Sequence, residues 1–206
     1  MPAFDSILFD FDGVLADTEP VHCACWAEVL ATKGVTLTWE YYRRECVGID
    51  DRDMLRMLAV QYDPPRDWDD LWSLYPAKKR LFMERMTSHP PFDAALGGFL
   101  NGLNRRYKLA VVSSSSRTEI EPMLAAGELL QYFETIVGAE SVKRYKPAPD
   151  PYLLAAERLA SRTPLVVEDS EAGAASGRAA GFEVLQVRHP AEVPDAVEWR
   201  LAACPS

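Results

Sequence analysis

Apolar positions fall into two kinds of segment along this chain, and the two kinds alternate. Ile7-Leu8-Phe9 is a buried apolar run that reads as a strand, and Lys108 to Ser113 (Lys-Leu-Ala-Val-Val-Ser) and Leu165 to Asp169 (Leu-Val-Val-Glu-Asp) repeat the pattern. Further strands are expected near residues 135–139 and 183–187. Helical spacing predicts helices near residues 94–105, 117–126, 151–159 and 172–180. Strands separated by helices need crossover connections, so the expected class is α/β, a doubly wound, Rossmann-like parallel sheet with helices on both faces. Local punctuation agrees. Ser116-Arg117-Thr118-Glu119 is a capping box, Asp150-Pro151 reads as an N-cap followed by a first-turn proline, and Gly127 and Gly181 are placed to stop helices.

One stretch breaks the alternation. From Val21 to Met86 the pattern is helical throughout, with helices expected at residues 21–33 (closed by Gly34), 39–46, 52–60 and 69–86, and Pro64-Pro65 separating the last two. Trp26, Trp39, Trp68 and Trp72 lie here and are expected to pack a small helical bundle. The division that follows is a core of residues 1–17 and 89–206 with a helical cap of 18–88 inserted. Residues 16–20 and 88–91 are candidate hinges.

At 206 residues with 48% hydrophobic composition, the chain can bury a substantial core. Its net charge of −9 argues against a nucleic-acid surface and would repel a phosphate ester at long range, so local cations must overcome that field. No apolar stretch approaches the length of a membrane span, and the amino terminus runs into the first strand without a signal-like segment, so the expected setting is cytoplasmic, with no membrane partner. Cys23, Cys25, Cys46 and Cys204 lack zinc-site spacing and are expected to be free thiols.

The chemistry sits at the strand tips. Asp10 and Asp12 close the first strand with Phe11 between them, which keeps both carboxylates on one side; the second strand ends at Ser113, the third at Glu168-Asp169, and Lys146 precedes Pro147. In an open parallel sheet the carboxyl ends of the strands gather on one edge. Four carboxylates there repel one another unless a cation sits among them, and an oxygen-only donor set favours a hard ion such as Mg²⁺.

With these four segments in order, Asp10-Phe11-Asp12-Gly13-Val14-Leu15, then Ser113, then Lys146-Pro147-Ala148-Pro149-Asp150, then Glu168-Asp169-Ser170 with Gly173, the chain resembles the haloacid dehalogenase-like superfamily. The likeness is to its phosphatase and β-phosphoglucomutase-like branch, which carries a small helical cap. The resemblance implies Asp10 as nucleophile and Asp12 as the acid that protonates the leaving oxygen; dehalogenases of the superfamily lack that second acid. It implies Mg²⁺ held by Asp10, the backbone carbonyl of Asp12 and Asp169, with Glu168 acting through a coordinated water. The Ser113 hydroxyl, the Ser114 N–H and Lys146 would hold the phosphate. Ser114, Ser115 and Ser116 otherwise read as a tight turn and cap. Two departures from the family pattern stand out: Tyr145 where glycine is frequent, and Asp93-Ala94 in place of Pro-Gly.

In the cap, Asp17-Thr18, His22 and Trp26 are similar to a β-phosphoglucomutase hinge, histidine and tryptophan. The arginine that takes a second phosphate in such mutases follows a Gly-Val-Ser pattern; here Gly48-Ile49-Asp50 is followed by Asp51, with Arg52 one place late. Asp51 is expected to repel a distal phosphate, which favours a phosphatase over a mutase. Lys78 is a candidate distal cation, set against a solvated helix lysine. The expected activity is therefore Mg²⁺-dependent hydrolysis of a small phosphorylated metabolite, a sugar phosphate being the candidate. The alternatives are a mutase and a non-catalytic binder of such metabolites; whether the chain is a monomer or a dimer is left open.

Overall fold

The computed structural model describes residues 4–203. The elements run in the order β1 (Ser6–Phe9), α1 (Glu19–Ala31), α2 (Trp39–Glu45), α3 (Asp51–Ala59), α4 (Trp68–Trp72), α5 (Tyr75–Ser88), α6 (Leu96–Asn104), β2 (Lys108–Val112), α7 (Arg117–Ala126), β3 (Thr135–Val137), α8 (Asp150–Leu159), β4 (Pro164–Glu168), α9 (Glu171–Ala179), β5 (Glu183–Gln186) and α10 (Val193–Ala202). The five strands form one parallel sheet in the order β3-β2-β1-β4-β5. Chain direction reverses its lateral progress at β1, so the carboxyl ends of β1, β2 and β4 lie side by side. The expected α/β class with an inserted helical segment is what the chain adopts.

Burial explains the continuous apolar runs. Ile7, Leu8 and Phe9 are all fully buried, because β1 is central and covered on both faces. Leu8, Ala110, Val112, Val137 and Val166 form one apolar layer against Tyr152, Ala155 and Leu159 of α8. On the same side, a Cβ on Gly177 of α9 would come within 2.8 Å of Val184 and 3.1 Å of Val166, so glycine lets that helix lie close to the sheet.

The chain divides into two compact units, one made of the residues up to Asp17 and from Pro90 onward, the other of Thr18–His89. The helical unit has its own core: Trp26, Leu30, Met54, Leu55, Leu58 and Leu71 are buried together. Within the sheet unit, the Asp17 N–H donates to the Pro91 carbonyl at 3.3 Å, tying together the two places where the chain leaves and re-enters.

The structure corrects several expectations. Residues 69–86 are two helices, not one; the break at Ser73–Leu74 places Pro76 in the first turn of α5, where its missing N–H leaves no bond unmade. The terminal helix α10 was not expected. Val193 and Val197 are its buried residues while Trp199 is 71% exposed, so the apolar stripe is only two residues wide. Pro149, not Asp150, is the N-cap of α8, with Asp150 inside the first turn. Gly127 caps α7 with φ −87°, so it is not a left-handed stop, whereas Gly181 has φ +81°. Trp26 is fully buried as expected, but Trp39 is 45% exposed and lies on Tyr42. Trp68 and Trp72 stack on each other at 5.8 Å with Arg56 and Arg52 over their faces. Cys23, Cys25 and Cys46 are free and buried; burial, with Cys46 and Glu19 nearby, pushes the Cys23 thiol up to about 11. Cys204 lies outside the described residues. Among those residues no helix is long and apolar enough to cross a membrane.

Candidate active site

The site is assembled by register. Phe9 pairs with Val111 on one side and Val167 on the other, so the next residues along, Asp10, Val112 and Glu168, stand level at the sheet edge. Asp10 stays in line through its N–H to the Val167 carbonyl at 2.9 Å. The chain then folds into a tight loop in which the Leu15 and Ala16 N–H groups donate to the Phe11 carbonyl and Gly13 N–H to Ala16. Gly13 has φ +76°, and a Cβ there would stand 2.1 Å from Asp169 Oδ2. Both facts require glycine at that position.

Lys146 is the electrostatic centre. Its Nζ donates to Asp10 Oδ1 at 2.6 Å, to Glu168 Oε1 at 2.6 Å and to the Val112 carbonyl at 2.9 Å, and it lies 5.1 Å from the Tyr152 ring centroid. All three ammonium protons are thus committed. Burial alone would push this lysine down, but Asp10 and Glu168 outweigh it and hold it above the ordinary lysine value.

Glu168 has no exposed surface and is held by five donors. Oε1 accepts from Lys146 and from the Tyr152 hydroxyl at 2.8 Å; Oε2 accepts from the Asp169 N–H, the Ser170 N–H and Ser170 Oγ, each at 3.1 Å. Ser170 Oγ in turn accepts from the Gly173 N–H at 3.0 Å, capping α9. A Cβ on Gly173 would fall 1.7 Å from Glu168 Oε1. Glu168 therefore acts as a hydrogen-bonded hub that fixes Lys146, a part not read from the sequence. Tyr152, its buried partner, was also missed, since nothing in the α8 pattern separates it from an ordinary core tyrosine.

Carboxylate oxygens of Asp10, Glu168 and Asp169 lie within 4.8 Å of one another. Burial, and the charges of Glu168 and Asp12 against the opposing pull of Lys146, raise Asp10 well above the usual carboxylate range. Burial and Glu168 push Asp169 up to about 6. A crowded set of oxygen donors whose members resist ionising together fits a hard divalent cation. Asp10, Glu168 and Asp169 together are the group that could hold such an ion, Glu168 being the member already bonded to five protein donors.

Ser113 is buried at the end of β2, and its hydroxyl accepts from the Ser115 N–H at 3.0 Å. Ser114 is exposed in the same turn. Ser115, read from sequence as a turn residue only, reaches Asp12: its hydroxyl donates to Asp12 Oδ2 at 3.2 Å. Tyr145 keeps φ out of the left-handed region and is 57% exposed, so its replacement of glycine leaves the backbone beside Lys146 unstrained.

The cap candidates meet one another within the helical unit. Lys78 is not a solvated helix lysine: it is 3% exposed, with Nζ at 2.7 Å from His22 Nδ1 and donating to Asp51 Oδ2 at 3.1 Å, over the rings of Trp26 and Phe82. Asp51 Oδ1 accepts from the Trp26 indole at 2.7 Å. Asp51 is thus a neutralised partner and not the bare repelling charge expected. Burial and the adjacent Lys78 push the His22 imidazole down to about 3. Arg52 lies apart from this cluster, its guanidinium 5.0 Å from the Trp72 centroid.

Comparison with known proteins places this arrangement. The sequence profile described as haloacid dehalogenase-like hydrolase matches residues 7–187, spanning all five strands and the helical insert. A phosphorylated carbohydrates phosphatase of Thermotoga maritima is 32% identical over 182 residues, covering 87% of this chain and 82% of the relative. The fructose-1-phosphate phosphatase YqaB of Escherichia coli is 28% identical over 191 residues, 90% of this chain and 97% of the relative. Among solved structures, CbbY of Rhodobacter sphaeroides in complex with phosphate superposes with a TM-score of 0.69 at 25% identity, covering 88% of this chain and 84% of that one. The chain belongs to the haloacid dehalogenase-like hydrolases, in the phosphatase and β-phosphoglucomutase-like branch of that family.

Proposed function

We propose that this protein is a Mg²⁺-dependent phosphatase that removes phosphate from a small phosphorylated metabolite, a sugar phosphate in the first instance, through an aspartyl-phosphate on Asp10. The observation that carries the reading is Lys146 Nζ, 2.6 Å from both Asp10 and Glu168 at the carboxyl edge of the sheet. A buried carboxylate clamped by an ammonium at one oxygen keeps a fixed direction for the other, which is what an in-line attacking group needs. Asp10 then attacks phosphorus as the bond to the leaving oxygen breaks, and Asp12 gives that oxygen its proton. Water opens the acyl-phosphate in the second half, with Asp12 recovering a proton. Bound Mg²⁺, held by Asp10, Asp169 and the Asp12 carbonyl, would supply charge neutralisation for the phosphoryl oxygens. Ser113 and the Ser114 N–H are the proposed phosphate contacts.

Relatives that act on phosphorylated carbohydrates and fructose 1-phosphate support a sugar phosphate as the substrate class. The helical unit, Thr18–His89, is assigned the selection of substrate. There, the buried cation Lys78 is already matched by Asp51, which leaves less positive charge for a second phosphate and favours hydrolysis over mutase chemistry. The test is phosphate release from a panel of sugar phosphates by the wild type and by Asp10→Asn, with and without Mg²⁺. The expected result is Mg²⁺-dependent release by the wild type and none by the variant, since a neutral amide cannot form the acyl-phosphate. Normal turnover in Asp10→Asn would reject the mechanism, and conversion of β-glucose 1-phosphate to glucose 6-phosphate faster than phosphate release would reassign the protein as a mutase.

A further inference from the structure

Ser115 makes a contact at the sheet edge that the catalytic scheme above leaves unused. The segment carrying it is pinned at every turn. Ser113 N–H donates to the Val137 carbonyl at 3.0 Å, Ser115 N–H donates to Ser113 Oγ at 3.0 Å, and the Ser115 carbonyl accepts from the Ala139 N–H at 3.0 Å. On the far side, the Arg117 N–H donates to the Glu140 carboxylate at 3.1 and 3.2 Å. Gly138 permits this packing: a Cβ there would stand 2.4 Å from the Arg117 nitrogen and 3.0 Å from the Ser115 carbonyl oxygen. With its N–H and C=O both engaged, Ser115 has a fixed backbone from which its hydroxyl is presented before any substrate arrives. That hydroxyl reaches Asp12 Oδ2 at 3.2 Å, across 103 residues of sequence.

We propose that Ser115 is a positioning residue for Asp12, fixing the rotation of its carboxyl group so that proton delivery to the leaving oxygen is aligned. The proposal rests on the reading of Asp12 as the proton donor. In the step itself the Asp10–phosphorus bond forms, the bond from phosphorus to the leaving oxygen breaks, and the proton passes from Asp12 to that oxygen; Ser115 keeps its own proton throughout. A misdirected acid matters in proportion to how badly the leaving group needs protonation. Loss of Ser115 should therefore slow alkyl phosphates and spare aryl phosphates, which leave without help.

The experiment compares wild type, Ser115→Ala, Ser115→Thr, Asp12→Asn and the Ser115→Ala/Asp12→Asn double variant on a series from alkyl phosphates to p-nitrophenyl phosphate. Inhibition by inorganic phosphate and thermal melting are measured in parallel. Expected for Ser115→Ala is a loss in kcat of roughly tenfold on alkyl phosphates, the size of one hydrogen bond, with about twofold or less on p-nitrophenyl phosphate. Ser115→Thr, which keeps the hydroxyl, should recover most of the loss, and adding Ser115→Ala to Asp12→Asn should cost nothing more. Inhibition by phosphate should not change. Equal losses across all leaving groups together with weaker phosphate inhibition would make Ser115 a phosphate contact and overturn the proposal, as would additive losses in the double variant or no loss at all. Should Ser115→Ala fail to fold, Ser115→Cys, with its weaker donor, takes its place under the same criteria. A wild type that releases phosphate from none of these compounds refutes the phosphatase reading itself, and that outcome is visible before any variant is compared.

Discussion

Gly173→Ala is a one-methyl change whose cost can be worked from the site. Gly173 lies in the first turn of α9 and its φ is not positive, so the backbone suits alanine and the effect is purely one of space. The new methyl would sit 1.7 Å from Glu168 Oε1, 2.0 Å from Cδ and 2.4 Å from Oε2, so the whole carboxylate must move. Glu168 is fully buried and accepts five hydrogen bonds, two from the Lys146 and Tyr152 side chains. Each bond to a charged group contributes about 1.5–3 kcal/mol, and losing two without replacement costs ~3–6 kcal/mol. Alanine's better helix propensity returns ~1 kcal/mol, leaving a net loss of roughly 2–5 kcal/mol. Gly98→Ala is the control: it lies within α6 with no neighbouring atom within 4 Å of the new Cβ, so the same substitution should stabilise by up to ~1 kcal/mol. Urea unfolding read as midpoint shifts at constant slope distinguishes the two. Kinetics should follow, since Lys146 and Asp10 lose the anchor that fixes them. A Gly173→Ala protein within ~1 kcal/mol of wild type, or equal losses at positions 98 and 173, would refute the assignment of Glu168 as the hub.

Two further outcomes can be checked. Without metal, the Asp169 carboxyl at about 6 binds its proton more tightly than an unfolded carboxylate, so its contribution to stability is present in acid and lost as pH rises through 6. Mg²⁺ should therefore raise the melting temperature clearly at pH 7.5, and its apparent affinity should fall by about tenfold or more per pH unit below 6 as protons on Asp169 and Asp10 compete; melts against Mg²⁺ at pH 5, 6 and 7.5 decide this, and a flat affinity would contradict it. In the helical unit, Asp51→Leu strands the Lys78 ammonium in a buried setting and should cost ~3 kcal/mol or more, while adding Lys78→Met should restore most of that; a harmless single Asp51→Leu would show that the pair is not an electrostatic unit.

How far these features were legible differs residue by residue. Asp10 and Glu168-Asp169 could be placed because each follows an apolar run whose burial on both faces fixes where the strand must end. The part played by Glu168 was encoded too, though less directly: side chains alternate along a strand, so Glu168 shares the face of Val166, which packs on α8, and Tyr152 waits there. Lys78 carried a similar signal. It lies four residues before Phe82 and eight before the fully buried Met86, on the inward stripe of α5, and its charge alone suggested a solvated face. Pro76 likewise marks the start of α5, a boundary hidden by the continuous helical composition around it. Ser115 is different in kind. No local pattern connects it with Asp12, because their contact depends on the register of β2 beside β1 and on the Gly138 contact that pins the turn.

The charge arrangement gives the site its logic. Asp10, Asp12, Glu168 and Asp169 crowd one edge with Lys146 as the cation among them, and every proton of that ammonium is already engaged by Asp10, Glu168 and the Val112 carbonyl. The expectation that Lys146 would help hold the phosphate thus meets a geometric limit: to donate to a phosphoryl oxygen it must release one of three existing acceptors. The Val112 carbonyl, at 2.9 Å the longest of the three and the only neutral one, is the acceptor that costs least to give up. Glu168 stays bonded to Tyr152 and to the start of α9 whatever Lys146 does, so the lysine can turn on a fixed support. A dianionic phosphate entering beside four carboxylates still meets more negative charge than one lysine can balance, in a protein whose overall charge is −9. The remaining imbalance is what a divalent ion on Asp10 and Asp169 would remove; without one, burial first and the neighbouring carboxylates second hold those two acids above their ordinary range.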